Sequence, residues 1–289
     1  MKGQSVLKLV PLNTLSFERL SYLVNQAYED YYFPIWMDEP HLREMCYQED
    51  VDLARSVVAL DGDKHIGLAL LSIRGDQGWV SGVGVLPAWK RRGVAREMLR
   101  YIQNTARVEN LRALRLEVLI QNAAALALYR QMGFTYARDL LILMLESWSY
   151  RTKPLPDDVV AATPDLFLDF YAAFHDGLSP WQRQLPSLQH RGDSLRGFGL
   201  WHNETLVGYV LYGAQTGTYS ILDLAVAPTY PHRLEAAHTL LTALHNAHAN
   251  MRRYVYTNIP AADPLLPALT RLGYTTWYQQ HELVWTPDT

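Results

Sequence analysis

Two stretches of the chain carry residue types that could do chemistry. The first is the turn Pro87-Ala88-Trp89-Lys90-Arg91-Arg92-Gly93-Val94-Ala95. An apolar run ends at Pro87, three basic side chains follow, and a helical period begins after Gly93. A helix start presents backbone N–H groups without intrahelical acceptors, at the positive end of the helix dipole. That arrangement suits a phosphate or pyrophosphate. Gly93 lets the backbone approach the anion closely, and Lys90, Arg91 and Arg92 add charge. The bland alternative is a solvated basic turn. The second stretch holds Leu116-Glu117-Val118, Asn122-Ala123, Ala125, Leu128-Tyr129 and Gly133-Phe134. The Tyr129 phenol, with an ordinary pKa near 10, is a protonated donor at neutral pH. Glu117 is the one carboxylate of its strand. A solvent-facing glutamate and a packed tyrosine would serve equally well as structural residues.

The two stretches stand in a fixed order, and together they carry a resemblance. The pattern V-x-P-x-x-[QR]-x-x-G-x-[GA], followed by N-x-x-A-x-x-L-Y-x-x-x-G-F, resembles the GCN5-related N-acetyltransferase (GNAT) superfamily over roughly residues 53–145. The resemblance implies acetyl-CoA as co-substrate and no metal. It implies that Lys90, Arg91, Arg92, Gly93, Val94 and Ala95 hold the pyrophosphate. It also implies that the backbone of Val83 and Val85 pairs with the pantetheine arm as an added strand would. Asn122 would contact that arm, and Tyr129 would protonate the departing thiolate. A free backbone N–H near Val85 would receive the oxyanion. The spacing from Glu117 to Tyr129 is similar to the branch that acetylates N-termini of ribosomal proteins, which makes Glu117 the candidate base, directly or through water. One position departs from the pattern: Lys90 stands where glutamine or arginine is usual. Lysine faces a phosphate as a point charge rather than a fork.

These residues need elements to position them. Leu15–Tyr28 has the spacing of an amphipathic helix. The runs Ser56–Leu60 and His65–Ile73 read as strands joined by the turn Asp61-Gly62-Asp63-Lys64. Trp79–Leu86 is a third strand, and Val94, Met98, Leu99 and Ile102 share one helical face. A strand at Arg115–Leu119, a helix at Ala123–Met132 and a strand at Asp139–Leu145 complete the order. The fold class is therefore α/β with a mixed sheet. A repeat follows at a distance of 141 residues, where Val58–Gly67 matches Gly199–Gly208 and Pro87 falls on Pro228. Gly133-Phe134 matches Gly273-Tyr274 one residue short of that distance. The expectation is two tandem GNAT-type domains, residues 1–150 and residues 151–289, with the proline-containing segment Arg151–Asp158 between them. In the second copy Leu234 falls on Gly93, Pro231 on Lys90, Ala262 on Asn122 and Leu269 on Tyr129. Leucine cannot donate a proton, so the second copy reads as degenerate, without CoA chemistry of its own.

Composition narrows the partners. Apolar residues make up 49% of the 289 and the net charge is −3, which points to a packed core and away from nucleic acid. A single cysteine, Cys46, excludes a disulfide framework. No apolar run approaches the length of a membrane helix, and residues 1–11 show no signal-peptide pattern. The reading is a cytoplasmic N-acetyltransferase, monomer or homodimer, without a membrane. Its acceptor is a small-molecule amine or a peptide N-terminus. The segment Tyr28–Glu39 mixes aromatics with carboxylates, which suits a cationic amine or plain packing. A CoA-binding module with little turnover, or an enzyme for protein N-termini or lysines, is the alternative. His238, His245 and His248 read as a solvated helix face rather than a metal site. Trp181, Trp201, Trp277 and Trp285 read as core or interface residues.

Overall fold

A computed structural model describes residues 7–146, 156–215, 218–249 and 251–287. Most of the segment expected as the linker, and the start of the chain, lie outside these residues. The chain forms two compact units: Met1–Ala137 with His281–Thr289, and Arg138–Gln280. The division falls before the boundary near residue 150 that composition suggests, and the last residues return to the first unit.

The first unit runs β1 (Leu7–Pro11), α1 (Phe17–Ala27), α2 (Glu39–Gln48), β2 (Val57–Asp61), β3 (Lys64–Arg74), β4 (Gln77–Val85), α3 (Val94–Val108), β5 (Ala113–Leu119), α4 (Ala123–Gln131) and the start of β6 (Thr135–Leu145). Strands β1 to β4 form an antiparallel meander, and β4 pairs with β5 in parallel. Leu20, Leu23, Val24 and Ala27 of α1 pack with Leu42 and Cys46 of α2 on Val58, Leu68 and Leu70. The α3 stripe Val94, Met98, Leu99 and Ile102 packs with Leu114, Leu116 and Val118 of β5 in a separate cluster. Strand residues alternate faces, so α1 and α2 cover one side of the sheet and α3 and α4 the other. Ser16 caps α1 and Asp38 caps α2 through their side-chain oxygens.

The second unit runs β7 (Val159–Ala162), α5 (Pro164–Leu168), α6 (Tyr171–Phe174), α7 (Leu185–Gln189), β8 (Arg196–His202), β9 (Thr205–Gln215), β10 (Thr218–Val226), α8 (Arg233–Ala247), β11 (Arg253–Pro260), α9 (Leu266–Arg271) and the start of β12 (Thr275–Trp285). The repeat is visible residue by residue. Strands Lys64–Arg74 and Gln77–Val85 recur as Thr205–Gln215 and Thr218–Val226, and Thr135–Leu145 recurs as Thr275–Trp285. The turn residue Gly62 (φ +60°) has its counterpart in Asn203 (φ +48°).

The division of β6 and β12 between the units has a structural meaning. The part of β6 from Leu140 onward pairs antiparallel with β11 inside the second unit. The end of β12 belongs to the first unit, where Leu283 and Trp285 join the α3–β5 cluster.

Candidate active site

Strand β4 pairs with β5 only from Gln77 to Trp79, opposite Ala113 to Arg115. Beyond Trp79 no pairing continues. A bulge at Ser81, where Val80 and Gly82 face the consecutive residues Leu71 and Leu70, bends β4 at that point. The backbone amide of Leu86 donates to Ile66 O at 2.9 Å. Hydrogen-bond direction alternates along an antiparallel ladder. The N–H groups of Gly84 and Gly82 therefore also face β3, and those of Val85 and Val83 face the open side. From Val80 to Val85 the edge of β4 is therefore unpaired with β5.

Tyr28, the residue that ends α1, lies against this edge. A Cβ at Gly82 would stand 3.1 Å from the Tyr28 hydroxyl, and one at Gly84 would stand 3.1 Å from Tyr28 Cε2 and 2.8 Å from Ala27 Cβ. Bare backbone at both positions is what admits the ring. Burial pushes the Tyr28 phenol well above its ordinary pKa, with Tyr129 and Tyr31 adding to the rise and a backbone hydrogen bond from Val83 working against it. Tyr129, on α4, is 8% exposed. Burial, and then Tyr31, push its phenol well above the usual range as well. Tyr28, Tyr31 and Tyr129 thus share one neighbourhood, and both buried phenols stay protonated at any physiological pH. Tyr31 stacks edge-on with Tyr28, Tyr32 and Phe33 at 5.3, 5.4 and 5.1 Å between ring centres. The Tyr32 hydroxyl donates to Gln121 O at 3.1 Å, which ties the segment to the approach of α4.

Glu117 is half-buried on β5. Leu116 and Val118 pack towards α3, so Glu117 faces the α1 side. Its Oε2 accepts from the indole N–H of Trp79 at 2.7 Å. Arg115, two residues before it and on the same face, pairs at 3.6 Å with Glu282 of β12, which is 2% exposed. Sequence reasoning missed Trp79, Tyr28 and Glu282 as neighbours of these groups. Only the alternation of β5 hinted at the shared face.

The basic loop stands in the open. Lys90, Arg91, Arg92 and Gly93 are exposed, Val94 is buried and Ala95 half-buried. Gly93 is the N-cap of α3 at φ +85°, with no side-chain cap and nothing within 4 Å of an added Cβ. The first turn of this helix therefore offers its N–H groups to solvent. Arg91 also adopts positive φ, +64°. Lys90 Nζ stands 3.9 Å from Asp30, an exposed pair. Asn122 is the N-cap of α4, and its Oδ1 accepts from Ala125 N at 3.2 Å. That oxygen is committed to the helix, which leaves the side-chain amide for any ligand.

The corresponding region of the second unit repeats part of this arrangement and changes the rest. Ala227 N–H donates to Val207 O at 2.9 Å, so Leu224 and Val226 take the open-edge places of Val83 and Val85. The Leu224 N–H is capped at 3.1 Å by the Tyr256 hydroxyl. Beside it lies fully buried Asp223. This carboxylate accepts from Arg183 at 3.0 Å and Tyr209 at 3.0 Å, and stands 3.2 Å from His175. A cleft of about 330 Å³ remains, lined by Arg138, His175, Arg183, Leu224, Arg233 and Asp263 among others. Three of its polar side chains are engaged: Arg138 donates to Leu178 O, Arg233 to Val226 O, and Asp263 accepts from Leu265 N. The connection from β10 to α8 is two residues shorter than that from β4 to α3, so His232 at φ −108°, not Leu234, takes the N-cap place of Gly93. Leu269 does stand in the place of Tyr129, since Tyr274 N–H bonds Leu269 O as Phe134 N–H bonds Tyr129 O.

The histidines are not a solvated face. His245 is fully buried, bonded to the Tyr274 hydroxyl at 2.8 Å, and burial holds its pKa down to about 3. His248 lies between the hydroxyls of Tyr219 and Tyr212. Among the described residues no group of three His, Cys, Asp or Glu side chains could hold a metal ion. Trp181 and Trp285 are buried, whereas Trp277 is 40% exposed. Among the described residues no helix is long and apolar enough to cross a membrane.

Comparison with known proteins follows the geometry. Residues 21–134 match the model of the Acetyltransferase (GNAT) family. Over 75 residues the chain is 32% identical to the [ribosomal protein bS18]-alanine N-acetyltransferase of Salmonella typhimurium, a stretch that covers 26% of this chain and 51% of that relative. The match spans about half the length of that protein. Among solved structures, a GCN5-related N-acetyltransferase from Sphaerobacter thermophilus is similar with a TM-score of 0.74 at 16% identity, covering 98% of this chain and 97% of that one. A tandem GNAT protein from the clavulanic acid biosynthesis pathway is similar with a TM-score of 0.70 at 15% identity, covering 98% and 100%. At such identities these two likenesses show the fold.

Proposed function

Because this chain belongs to the GNAT superfamily through residues 21–134, we propose that its first unit transfers the acetyl group of acetyl-CoA to a primary amine. The observation that carries this reading is the open edge of β4, whose Val83 and Val85 N–H groups face a neighbourhood holding Tyr129 and Tyr28. Beside it, the exposed loop Lys90–Gly93 leads into an α3 start that has no side-chain cap. These residues fit acetyl-CoA. Residues Lys90 to Ala95 would hold the pyrophosphate, with Arg91, Arg92 and the first-turn amides supplying charge and donors, and Asn122 would reach the arm with its amide.

The reaction needs three things of the chain. The amine must be neutral when it attacks, so a proton must leave it; Glu117, on the α1-facing side of β5, takes that role directly or through water. The developing oxyanion needs a preorganised donor at the β4 edge. The thiolate that departs needs a proton, which Tyr129 supplies from a phenol that burial keeps protonated. Attack is direct, without an acyl-enzyme. The only cysteine, Cys46, is buried on α2 and its pKa is pushed up to about 12, mainly by burial.

The acceptor carries its amine on a small molecule or at a peptide N-terminus. The segment of Tyr31, Tyr32 and Phe33 beside Glu29 and Asp30 suits a cation, and the named activity of the Salmonella relative supports a peptide N-terminus. The second unit does no CoA chemistry, because Leu269 stands where an acid is needed. We place the protein in the cytoplasm, as a monomer or homodimer.

The test is thiol release from acetyl-CoA against polyamines, aminoglycosides, amino acids and short peptides with varied N-termini. Turnover on one class, with Tyr129→Phe lowering kcat about 10²-fold or more while acetyl-CoA still binds, is the expected result. Binding without turnover on any amine would reduce the first unit to a CoA-binding module. Equal loss of kcat and of binding in Tyr129→Phe would remove Tyr129 from the acid role.

A further inference from the structure

The β4 edge and Tyr28 form a unit that the family pattern does not contain. In an open strand edge the backbone N–H is the expected oxyanion donor, and here the Tyr28 hydroxyl lies beside that edge, 3.1 Å from where a Cβ on Gly82 would stand, with the Val83 N–H on its side. The ring is seated on Gly82 and Gly84, where a methyl group would come within 3.1 Å of it. The same strand position in the second unit shows the same pairing, with Leu224 N–H on the Tyr256 hydroxyl at 3.1 Å. The two phenols differ in what holds them. Tyr256 is strand-borne and 1% exposed, and Arg183 lies 4.7 Å above its ring. Tyr28 ends a helix, is half-buried, and borders the segment that carries Tyr31.

We propose that the Tyr28 hydroxyl, backed by the Val83 N–H, is the donor that stabilises the oxyanion of acetyl transfer. The inference rests on the acetyltransfer reading above. A hydroxyl that accepts a hydrogen bond becomes a better donor, because the bonds along a chain polarise one another. Tyr28 keeps its proton throughout and lends only the hydrogen bond. As the amine nitrogen bonds to the carbonyl carbon, the carbonyl π pair moves to oxygen and meets the Tyr28 O–H. When that pair returns, the C–S bond breaks and its electrons go to sulfur. Tyr129 protonates the sulfur, Glu117 or water takes the amine's proton, and solvent returns a proton to Tyr129. The products are the amide and the free thiol of CoA. The two phenols thus divide the work: Tyr129 gives a proton to sulfur and Tyr28 holds the oxygen.

The decisive variant is Tyr28→Phe, which keeps the ring that Gly82 and Gly84 seat. With the amine found for the wild-type protein, kcat should fall about 10²–10³-fold, while the calorimetric Kd for acetyl-CoA and the Tm stay close to wild type. An unchanged kcat overturns the proposal. So does tighter acetyl-CoA binding with retained turnover, because that result makes Tyr28 a plug over Val83. A second readout needs no turnover. Wild type should bind the ketone analogue acetonyl-CoA in preference to the thioether S-ethyl-CoA, which lacks the carbonyl oxygen, and Tyr28→Phe should lose that preference. Equal preference in both proteins overturns the proposal even if no amine is turned over. Absence of wild-type turnover with retained ketone preference would instead overturn the acetyltransfer reading.

Discussion

Removing Asp223 tests whether the second unit is structural. Asp223→Ala leaves the Arg183 guanidinium, in a residue only 5% exposed, and the Tyr209 hydroxyl without their carboxylate. Breaking a buried pair by deleting one partner costs about 3–5 kcal/mol. In a domain of this size each kcal/mol lowers Tm by about 2–4 °C, so the expected fall is roughly 6–20 °C. Scanning calorimetry of the full chain reads it. Replacing both partners, Asp223→Leu with Arg183→Met, should recover much of the loss, since it leaves no buried charge. The pH dependence carries a sign as well. Burial works against the His175 imidazolium, but the Asp223 charge and the bonds to Asp223 and the Tyr171 carbonyl outweigh it and hold the pKa above the ordinary value. That contribution is complete below the unfolded value near 6.5 and is lost as pH rises through the raised folded value. Asp223 is the opposite case. Burial would raise its pKa, and His175 and Arg183 together hold it low. Its contribution is present above the unfolded value near 3.9 and is lost as pH falls through the lowered one. In Asp223→Ala the decline of stability as pH rises from the unfolded value near 6.5 should vanish. Kinetics of acetyl-CoA turnover, measured well below the new Tm, should match wild type. A Tm change under about 3 °C would refute the energetics, and lost turnover in a folded variant would refute the confinement of chemistry to the first unit.

Two further outcomes follow from single residues. Gly93→Ala places a Cβ at φ +85° in open space, so the cost is backbone strain of about 1–2 kcal/mol. If the helix start holds the pyrophosphate, acetyl-CoA Kd should rise about tenfold by calorimetry, and an unchanged Kd would separate Gly93 from the anion. Cys46, with its thiol pushed up to about 12 by burial and by Glu49, against Arg43, should resist iodoacetamide at neutral pH. Acetyl transfer should survive that treatment, and inactivation with stoichiometric labelling of Cys46 would reopen a covalent route.

What the sequence by itself determined is local. The hairpin Asp61–Lys64, the α3 stripe from Val94 to Ile102 and the turn at Gly93 each follow from residues within a few positions of one another, because turn chemistry and side-chain period are short-range properties. The repeat was legible for the same reason. Turns that need glycine or asparagine recur at one spacing, and strands β3 and β4 reappear residue for residue in β9 and β10. The tertiary structure decided which local pieces meet. Period places Glu117 on the α1-facing side of β5, but only strand pairing brings the Trp79 indole to it, and only the return of β12 sets Glu282 against Arg115. Tyr28 ends a helix that the sequence marks, yet its seat on Gly82 and Gly84 depends on packing across the sheet. His245 and His248 share a helical stretch that reads as solvated until Tyr274, Tyr212 and Tyr219 arrive from three strands and strand ends to bond them. The two-residue shortening before α8, which hands the helix cap to His232, is invisible to a fixed spacing. Burial, pairing and hydrogen-bond partners are set by residues far apart in the chain, and no local pattern encodes which of them will touch.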